Sequence, residues 1–320
     1  MIIIKNGETV KDIDLVYLWV DGSDPEWLRK KQQAWNNYKA GVPENPTGRY
    51  VSNDEIKYSL RSIEKHLPWI RKIFIVTDNQ IPSWLNSDNS RIQIIDHKDI
   101  LPEIALPCFN SSIIEMFIYR IPGLSEKFLC ANDDTFVNAD LLQSFFFTED
   151  GLPIIRFQYQ FAHKTEIRLK KLLKIPINNY RLSIYNSYNL IKNKYGKHYH
   201  GVSHHNIDAY KKQIFKEVVE VVFKDELSNV LPNHFRSPLN IQRIIFQLYA
   251  LVTKQGYLKY VNRKESCRIR VHNPDFMNLI LKHQPSLFCL NDTEKATDDD
   301  RARIRPFLEA LFPEKSSFEK

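Results

Sequence analysis

Cysteine is scarce in this sequence, and long apolar runs are absent. Four cysteines occur among 320 residues, far apart and without a C-x-x-C pair. Neither a structural zinc site nor a disulfide framework is therefore predicted, and buried free thiols are expected. No apolar stretch reaches about 18 residues, which argues against a transmembrane helix. The N-terminal sequence MIIIKNGETVKDIDL lacks the apolar region of a signal peptide, so we expect a cytoplasmic protein.

The chain contains enough apolar material for a sizeable core. Hydrophobic residues make up 43% of the sequence and aromatic residues 12%, which excludes a disordered tail or a small disulfide-stapled module. The length suits one α/β core with a helical elaboration, or two closely packed domains. The net charge of +7 favours an anionic partner such as a nucleotide, a phosphorylated glycan, an anionic membrane face or nucleic acid. A solvated basic surface is the alternative.

Short apolar runs alternate with helical spacings in the first half of the sequence. The runs that predict strands span residues 14–22, 72–78, 92–97 and 127–133. Apolar residues at helical spacing predict helices over 53–67 and 110–121, the second capped by Asn110 or Ser111. This order is typical of a βαβ sheet, whose ligands gather at the carboxyl ends of the strands. Beyond residue 150 the sequence is basic and aromatic, and helices are expected to dominate as far as residue 260.

Acidic or amide residues follow each of the four apolar runs. They are Asp21, Asp78, Asp96 followed by His97, and the triplet Asn132, Asp133 and Asp134. Because the strands of a parallel sheet end at one edge, this repetition indicates a shared site. Asp133 and Asp134 offer carboxylate oxygens, which can bind Mg²⁺ or Mn²⁺ beside a diphosphate. The alternative is turn chemistry, since Asn and Asp also close strands by bonding their own backbone.

Weaker candidates lie before the first predicted helix and on it. Asp21 and Asp24 could bind a nucleobase, ribose or metal, and Gly22 between them allows close backbone approach; an ordinary turn has the same sequence. Glu55 and Arg61 lie on the helix, where Arg61 could clamp a phosphate or face solvent. The polar segment GVPENPTGRY, residues 41–50, suits a mobile flap or a plain surface loop.

Two basic motifs in the second half carry groups for proton and phosphoryl transfer. The segment GVSHHNIDAYKK contains His204 and His205, and a histidine near its ordinary pKa can take a proton from an acceptor hydroxyl. The segment NHFRSP contains Arg236, which could neutralise charge on a migrating phosphoryl group. A lone histidine or arginine is more often structural, so these roles depend on the wider pattern.

The wider pattern resembles the Stealth family. The strings IDLVYLWVDGSDPEW, NDEIKYSLRSIEKHLPWIRKIFIVTDNQIPSWL, LPCFNSSIIEMFIYRIPGLSEKFLCANDD, HHNIDAYKK, HFRSP and FCLND occur here in the family's order, from about residue 13 to 292. This family includes bacterial capsular and exopolysaccharide phosphotransferases and is related to the α/β subunit of the lysosomal-enzyme N-acetylglucosamine-1-phosphotransferase. The block from 53 to 134 is long and specific.

The resemblance implies transfer of a hexose or N-acetylhexosamine 1-phosphate from a UDP-sugar to a glycan hydroxyl, with release of UMP. It also implies an α/β fold with a GT-A-like (Rossmann-like) nucleotide-sugar-binding core over residues 12–150. A mainly helical acceptor and catalytic segment would follow over 151–265, and residues 266–320 would return to the active site. Mg²⁺ or Mn²⁺ would be the cofactor.

The same resemblance assigns roles to individual residues. The predicted catalytic residues are His204, Arg236, Asp133, Asp134 and Glu55, with Asp133 and Asp134 also binding metal. The predicted donor-binding residues are Asp21, Gly22, Asp24, Arg61, Asn132, His205, Asn291 and Asp292. His205 is the alternative to His204 as the general base, since the family's usual proline beside the histidine is missing here.

Two other functions remain open at this stage. A metal-dependent glycosyltransferase with the same donor site would attack the anomeric carbon and release UDP. A non-catalytic polyanion-binding module is suggested only by the charge, and the acidic strand ends argue against it and against a nucleic-acid partner. The basic segment 164–197 predicts peripheral association with the cytoplasmic face of the inner membrane or with polysaccharide assembly machinery, or is a plain basic surface.

Overall fold

A five-stranded sheet forms the centre of the protein. The structure is a computed structural model that describes residues 12–37, 53–160, 163–293 and 295–320; the segment 41–50 lies outside them. The strands in chain order are β1 (Ile13–Leu18), β2 (Ile73–Thr77), β3 (Ile92–Asp96), β4 (Lys127–Asn132), β5 (Thr135–Val137), β6 (Ile154–Gln158), β7 (Val202–Ser203), β8 (Asp208–Lys211), β9 (Tyr257–Tyr260), β10 (Ser266–Arg270) and β11 (Leu287–Asn291). The central sheet has the order β3-β2-β1-β4-β8.

The four predicted strands are all present and lie side by side. β1 to β4 run parallel, and β8 joins the edge of the sheet antiparallel to β4. A parallel sheet with helices on both faces buries its strands on both sides, which explains their continuous apolar runs. All five residues of β2 are buried. The predicted α/β fold class is therefore confirmed.

The helices of the described residues include those that cover the two faces of this sheet. They are α1 (Pro25–Asn37), α2 (Glu55–His66), α3 (His97–Ile100), α4 (Ser111–Met116), α5 (Gln143–Phe146), α6 (His163–Leu172), α7 (Asn179–Tyr195), α8 (Lys212–Glu217), α9 (Lys224–Ser228), α10 (Ile244–Val252), α11 (Phe276–His283), α12 (Asp298–Ala302) and α13 (Ile304–Leu311). The helix predicted over 53–67 is confirmed as α2. The helix predicted over 110–121 divides into α4 and a 3-10 turn, Ile118–Arg120.

Asn110 explains part of that difference. Its side chain does not cap α4; the amide donates instead to the carbonyls of Asn233, at 2.9 Å, and Phe235, at 3.1 Å. This buried amide satisfies two carbonyls that lie 123 and 125 residues later in the sequence, and so links the start of α4 to that distant segment. Sequence spacing cannot reveal such a long-range partner.

Side chains that alternate along the central strands pack into two separate hydrophobic cores. Val16 of β1 and Phe128 of β4 pack with helices α4, α7, α8 and α10 on one face. Leu15 and Leu129 point to the other face, which α2 covers. A third core fills the space between α13 and the small sheet β10-β11-β5. All four cysteines are buried and free, as their spacing predicts.

The segment from 151 to 265 combines helices with short strands. Helices α6 to α10 predominate, β8 completes the central sheet, and β7-β6-β9 forms a separate three-stranded sheet. The division at residues 150 and 265 stays a prediction. Among the described residues, no helix is both long and apolar enough to cross a membrane.

Candidate active site

A cavity of about 670 Å³ opens at the carboxyl ends of β1 and β4. The chain adds β2 and β3 on one side of β1 and β4 on the other, so the strand order reverses there. Open α/β sheets bind their ligands in the crevice at such a reversal. Trp19 and Val20, directly after β1, line this cavity together with Asn132 of the neighbouring strand β4 and the two residues that follow it. The volume suits a small-molecule ligand such as a nucleotide sugar.

Three carboxylates converge on one wall of the cavity. Asp133 and Asp134 follow β4, and Glu55 begins α2, where its carboxylate accepts hydrogen bonds from the backbone N, at 2.6 Å, and the side-chain amide, at 2.7 Å, of Asn53. Burial and the neighbouring Asp133 charge raise the pKa of Glu55 to about 7. Burial also raises the pKa of Asp133, with Asp134 adding repulsion, and burial raises the pKa of Asp134 as well.

This wall fits a divalent cation. Asp134 Oδ1 is buried and has no hydrogen-bond partner, whereas Asp134 Oδ2 accepts from the Cys289 thiol at 3.2 Å. Clustered carboxylates whose pKa values are raised are destabilised without a counter-charge, and hard divalent ions prefer such oxygens. The predicted metal ligands Asp133 and Asp134 are therefore suitably placed.

The two adjacent histidines have different surroundings. His204 is fully buried, its Nδ1 lies 2.8 Å from Ser266 Oγ, and its Nε2 lies 3.0 Å from Asp208 Oδ1. His205 takes a left-handed backbone conformation with φ of 56° and lines the cavity. Its Nδ1 lies 3.3 Å from the Tyr180 hydroxyl. Both nitrogens of His204 are thus engaged away from the cavity, and the geometry favours His205 as the residue that meets a ligand.

Arginines also line the cavity. Arg236 lines it and donates to Ser111 Oγ at 2.8 Å. Arg243 is buried, where it donates to Glu115 Oε1 at 3.1 Å. Although burial opposes its charge, Glu115 holds the pKa of Arg243 above its ordinary value. These groups make a positively charged region that complements phosphate oxygens.

Two further arginines of this region were not predicted from the sequence. Arg268 and Arg270 of β10 line the cavity, and both are exposed. The strand sequence SCRIR places an arginine at every second position, so both side chains leave the same face of the strand. That alternation is the signal from which they could have been found.

The last predicted motif reaches the cavity from β11. Asn291 ends this strand and Asp292 follows it, and both line the cavity. Arg301 approaches the Asp292 carboxylate with Nε at 2.8 Å and Nη2 at 3.3 Å. Asp292 therefore reaches the cavity with its charge already paired, while the Asn291 amide is available to a ligand.

The loop after β1 does not bring its predicted side chains to the cavity wall. Asp21 Oδ1 accepts from the backbone N and Oγ of Ser23, at 2.8 and 2.6 Å. Asp24 Oδ1 accepts from the backbone N of Trp27 at 2.8 Å, which caps the start of α1. Gly22 lies between them and is absent from the cavity lining. In this structure these residues shape the turn.

Arg61 lies outside the cavity. It is buried and binds Glu319 through Nε at 2.7 Å and Nη2 at 2.8 Å, and its Nη1 donates to the Phe312 carbonyl at 2.8 Å. The side chain therefore joins α2 to the C-terminal segment. Its predicted contact with a donor has no geometric support here.

The acidic residues at the ends of β2 and β3 also make local contacts and do not line the cavity. Asp78 pairs with Lys30, and Asp96 caps α3 by accepting from the backbone N of Lys98 at 3.0 Å. His97 alone of this group lines the cavity. Burial lowers the pKa of His97 to about 4, so its imidazole is neutral near pH 7.

Comparisons with known proteins match most of the chain. Family models of Stealth protein conserved regions 1, 2 and 4 match residues 11–39, 49–155 and 278–320. The capsular polysaccharide phosphotransferase fcs1 of Haemophilus influenzae is 35% identical over 89% of this chain and 79% of its own. The exopolysaccharide phosphotransferase cps2G of Lactiplantibacillus plantarum is 32% identical over 97% of this chain and 96% of its own.

A solved structure of a galactosyltransferase, LgtC, in complex with donor and acceptor sugar analogues, also aligns with this chain. The alignment covers 95% of this chain and 96% of LgtC, with 13% sequence identity and a TM-score of 0.47.

Proposed function

Since the chain belongs to the Stealth family, whose members named above are polysaccharide phosphotransferases, we propose that it transfers a sugar 1-phosphate from a UDP-sugar to a hydroxyl of a capsular or exopolysaccharide. The products are UMP and a phosphodiester-linked glycan. The observation that supports this proposal is the cavity at the strand reversal, which is lined both by the carboxylates of Glu55, Asp133 and Asp134 and by arginines. We place the enzyme in the cytoplasm, where nucleotide sugars are made.

The reaction requires the acceptor oxygen to attack the β-phosphorus of the donor. Arg236 is suited to bind the transferred phosphoryl group, and Arg268 and Arg270 to bind the diphosphate, because guanidinium groups match phosphate oxygens in geometry and charge. Mg²⁺ or Mn²⁺ bound at Asp133 and Asp134 would supply further positive charge to offset the diphosphate.

We assign His205 the role of general base. Burial, with the charges of Arg268 and Arg243, lowers the pKa of its imidazole to about 3 in the free protein, so the ring is neutral and able to accept a proton. A bound diphosphate would offset those guanidinium charges and raise the pKa towards the range that proton transfer needs. His204 has the different task of tying the loop to Asp208 and Ser266.

Product analysis tests this function. Purified protein is incubated with UDP-N-acetylglucosamine and other UDP-sugars, MgCl₂ and capsular oligosaccharides, and the products are identified by mass spectrometry. UMP together with a phosphodiester-linked oligosaccharide is the expected result. UDP with a new glycosidic bond would instead identify a glycosyltransferase. Salt-sensitive binding of polyanions without turnover would identify a binding module.

Peripheral membrane contact is proposed for α6 and the turn after it. Leu169, Leu172 and Leu173 are exposed there, beside the exposed cations Arg168 and Lys174. Exposed aliphatic side chains among cations match the interface of an anionic bilayer. Co-sedimentation with vesicles containing phosphatidylglycerol, and not with phosphatidylcholine vesicles, is expected. The double variant Leu172→Glu and Leu173→Glu should stay in the supernatant; equal sedimentation of both proteins would contradict the proposal.

A further inference from the structure

Three potential metal ligands of different chemistry meet beside the cavity. They are the Asp134 carboxylate, the His205 imidazole and the Cys289 thiol, and one ligand atom from each lies within 4.8 Å of the other two. They come from three parts of the chain, namely the loop after β4, the loop after β7, and β11. A cation at their centre needs only small side-chain movements to reach ordinary bond lengths, which are about 2.0–2.3 Å for these donors.

Strand pairing holds two of the three ligands together. β5 and β11 are antiparallel with Thr135 opposite Cys289, and the Leu290 amide donates to the Asp134 carbonyl at 2.9 Å. This fixes the Cys289 thiol beside Asp134 Oδ2. Asp134 Oδ1 is buried without a partner, so it is available to a cation. The three groups therefore form a defined arrangement on a paired strand and its neighbouring loops.

The donor set is unsuited to Mg²⁺ alone. Mg²⁺ takes oxygen ligands, whereas imidazole and thiolate together select borderline or soft ions such as Zn²⁺ and Co²⁺. Asp133 and Glu55 supply the oxygens that a hard ion prefers. The cavity thus offers one carboxylate, Asp134, to two kinds of cation, which compete for it.

We propose that Asp134, His205 and Cys289 form a thiophilic metal site, and that Zn²⁺ bound there inhibits the enzyme by withdrawing Asp134 from the Mg²⁺ site and His205 from its role as general base. Formation of the metal–sulfur bond releases the Cys289 proton to solvent, so no oxidant or reductant is involved. The inhibitory effect rests on the proposed function, whereas binding of the metal does not.

Cobalt spectroscopy of the purified full chain tests the binding step directly. On titration with CoCl₂, the wild-type protein is expected to develop a near-ultraviolet sulfur-to-cobalt charge-transfer band, which ZnCl₂ then abolishes. Cys289→Ser should lose this band, and the matched control Cys267→Ser, on β10, should retain it. A band that persists in Cys289→Ser, or no band in the wild type, would overturn the proposal.

A second variant tests the ligand set even if Cys289→Ser does not fold. His205→Gln keeps the thiol and should still show sulfur ligation, with affinity for Zn²⁺ lower by about tenfold or more because one ligand is lost. Circular dichroism establishes that each variant is folded. Unchanged Zn²⁺ affinity in folded His205→Gln would contradict the assigned ligand set.

Enzyme assays then separate the two proposals. In assays with MgCl₂, micromolar ZnCl₂ should inhibit the wild type, and Cys289→Ser should need about tenfold more Zn²⁺ for the same fractional inhibition. Phosphodiester formation without a charge-transfer band would refute the zinc site and leave the proposed function standing. A charge-transfer band in a protein that forms no phosphodiester would refute the function and leave the site standing.

Discussion

Replacement of Arg61 tests whether this residue is structural or binds the donor. Arg61→Met removes the charge, keeps much of the side-chain volume, and leaves the Glu319 carboxylate buried without its bidentate partner. Loss of one partner of a buried ion pair costs about 3–5 kcal/mol of unfolding free energy. Lys57 Nζ, 3.6 Å from Glu319 Oε2, retains part of the compensation, so the expected loss lies near the lower end, about 3 kcal/mol.

Thermal unfolding monitored by circular dichroism measures this effect. For a chain of this length, a loss of about 3 kcal/mol lowers Tm by roughly 4–5 °C. Calorimetric titration with a UDP-sugar at a temperature where the variant is folded should show near wild-type affinity, because Arg61 lies outside the cavity. The control Glu319→Gln removes the same ion pair from the other side and should also lower Tm. An unchanged Tm together with lost donor binding would refute the structural role.

Three further predictions concern the cavity. His205→Ala should lower kcat by about 10²- to 10⁴-fold with little change in donor affinity. His204→Ala should lower Tm because it breaks the hydrogen bonds to Ser266 and Asp208. A large loss of kcat in His204→Ala, with a lowered Tm in His205→Ala instead, would return the role of base to His204. Arg268→Ala should raise the Kd for UDP, measured by titration calorimetry, by about tenfold or more, since a charged hydrogen bond is lost. Arg263→Ala, outside the cavity lining, is the control and should leave this Kd unchanged. The raised pKa of Glu55, about 7 against an ordinary 4.5, means that the folded metal-free protein binds an extra proton, so Tm should fall as pH rises through this interval. Glu55→Gln should make that fall in Tm smaller, while the raised pKa values of Asp133 and Asp134 maintain the rest of it; an unchanged slope would contradict the prediction.

The central sheet was predictable because its physics is local. Each of β1 to β4 is a short apolar run, and each run ends where polar residues begin. The amphipathic spacing of α2 is equally local, and its apolar positions Ile56, Leu60 and Ile63 are all buried. The carboxylate pair after β4 followed from the rule that ligands collect at strand ends.

Such local rules could not decide whether His204 or His205 enters the cavity. The two residues are adjacent, and His205 has a left-handed φ of 56°, which an extended strand would not give. Which ring enters the cavity therefore depends on a backbone conformation that pattern analysis does not capture. Arg61 illustrates the same limit, since its partner Glu319 lies 258 residues away. On sequence spacing alone, a buried arginine and a phosphate-binding arginine look alike.

The identity of the phosphorus-containing product tests the central claim most directly. The assay uses a UDP-sugar labelled with ³²P at the β-phosphate, MgCl₂ and a capsular oligosaccharide, followed by chromatography and mass spectrometry. Attack at the β-phosphorus predicts that the label moves to the oligosaccharide and that UMP is released unlabelled. Label recovered in UDP, with an unlabelled glycosidic product, would contradict the account.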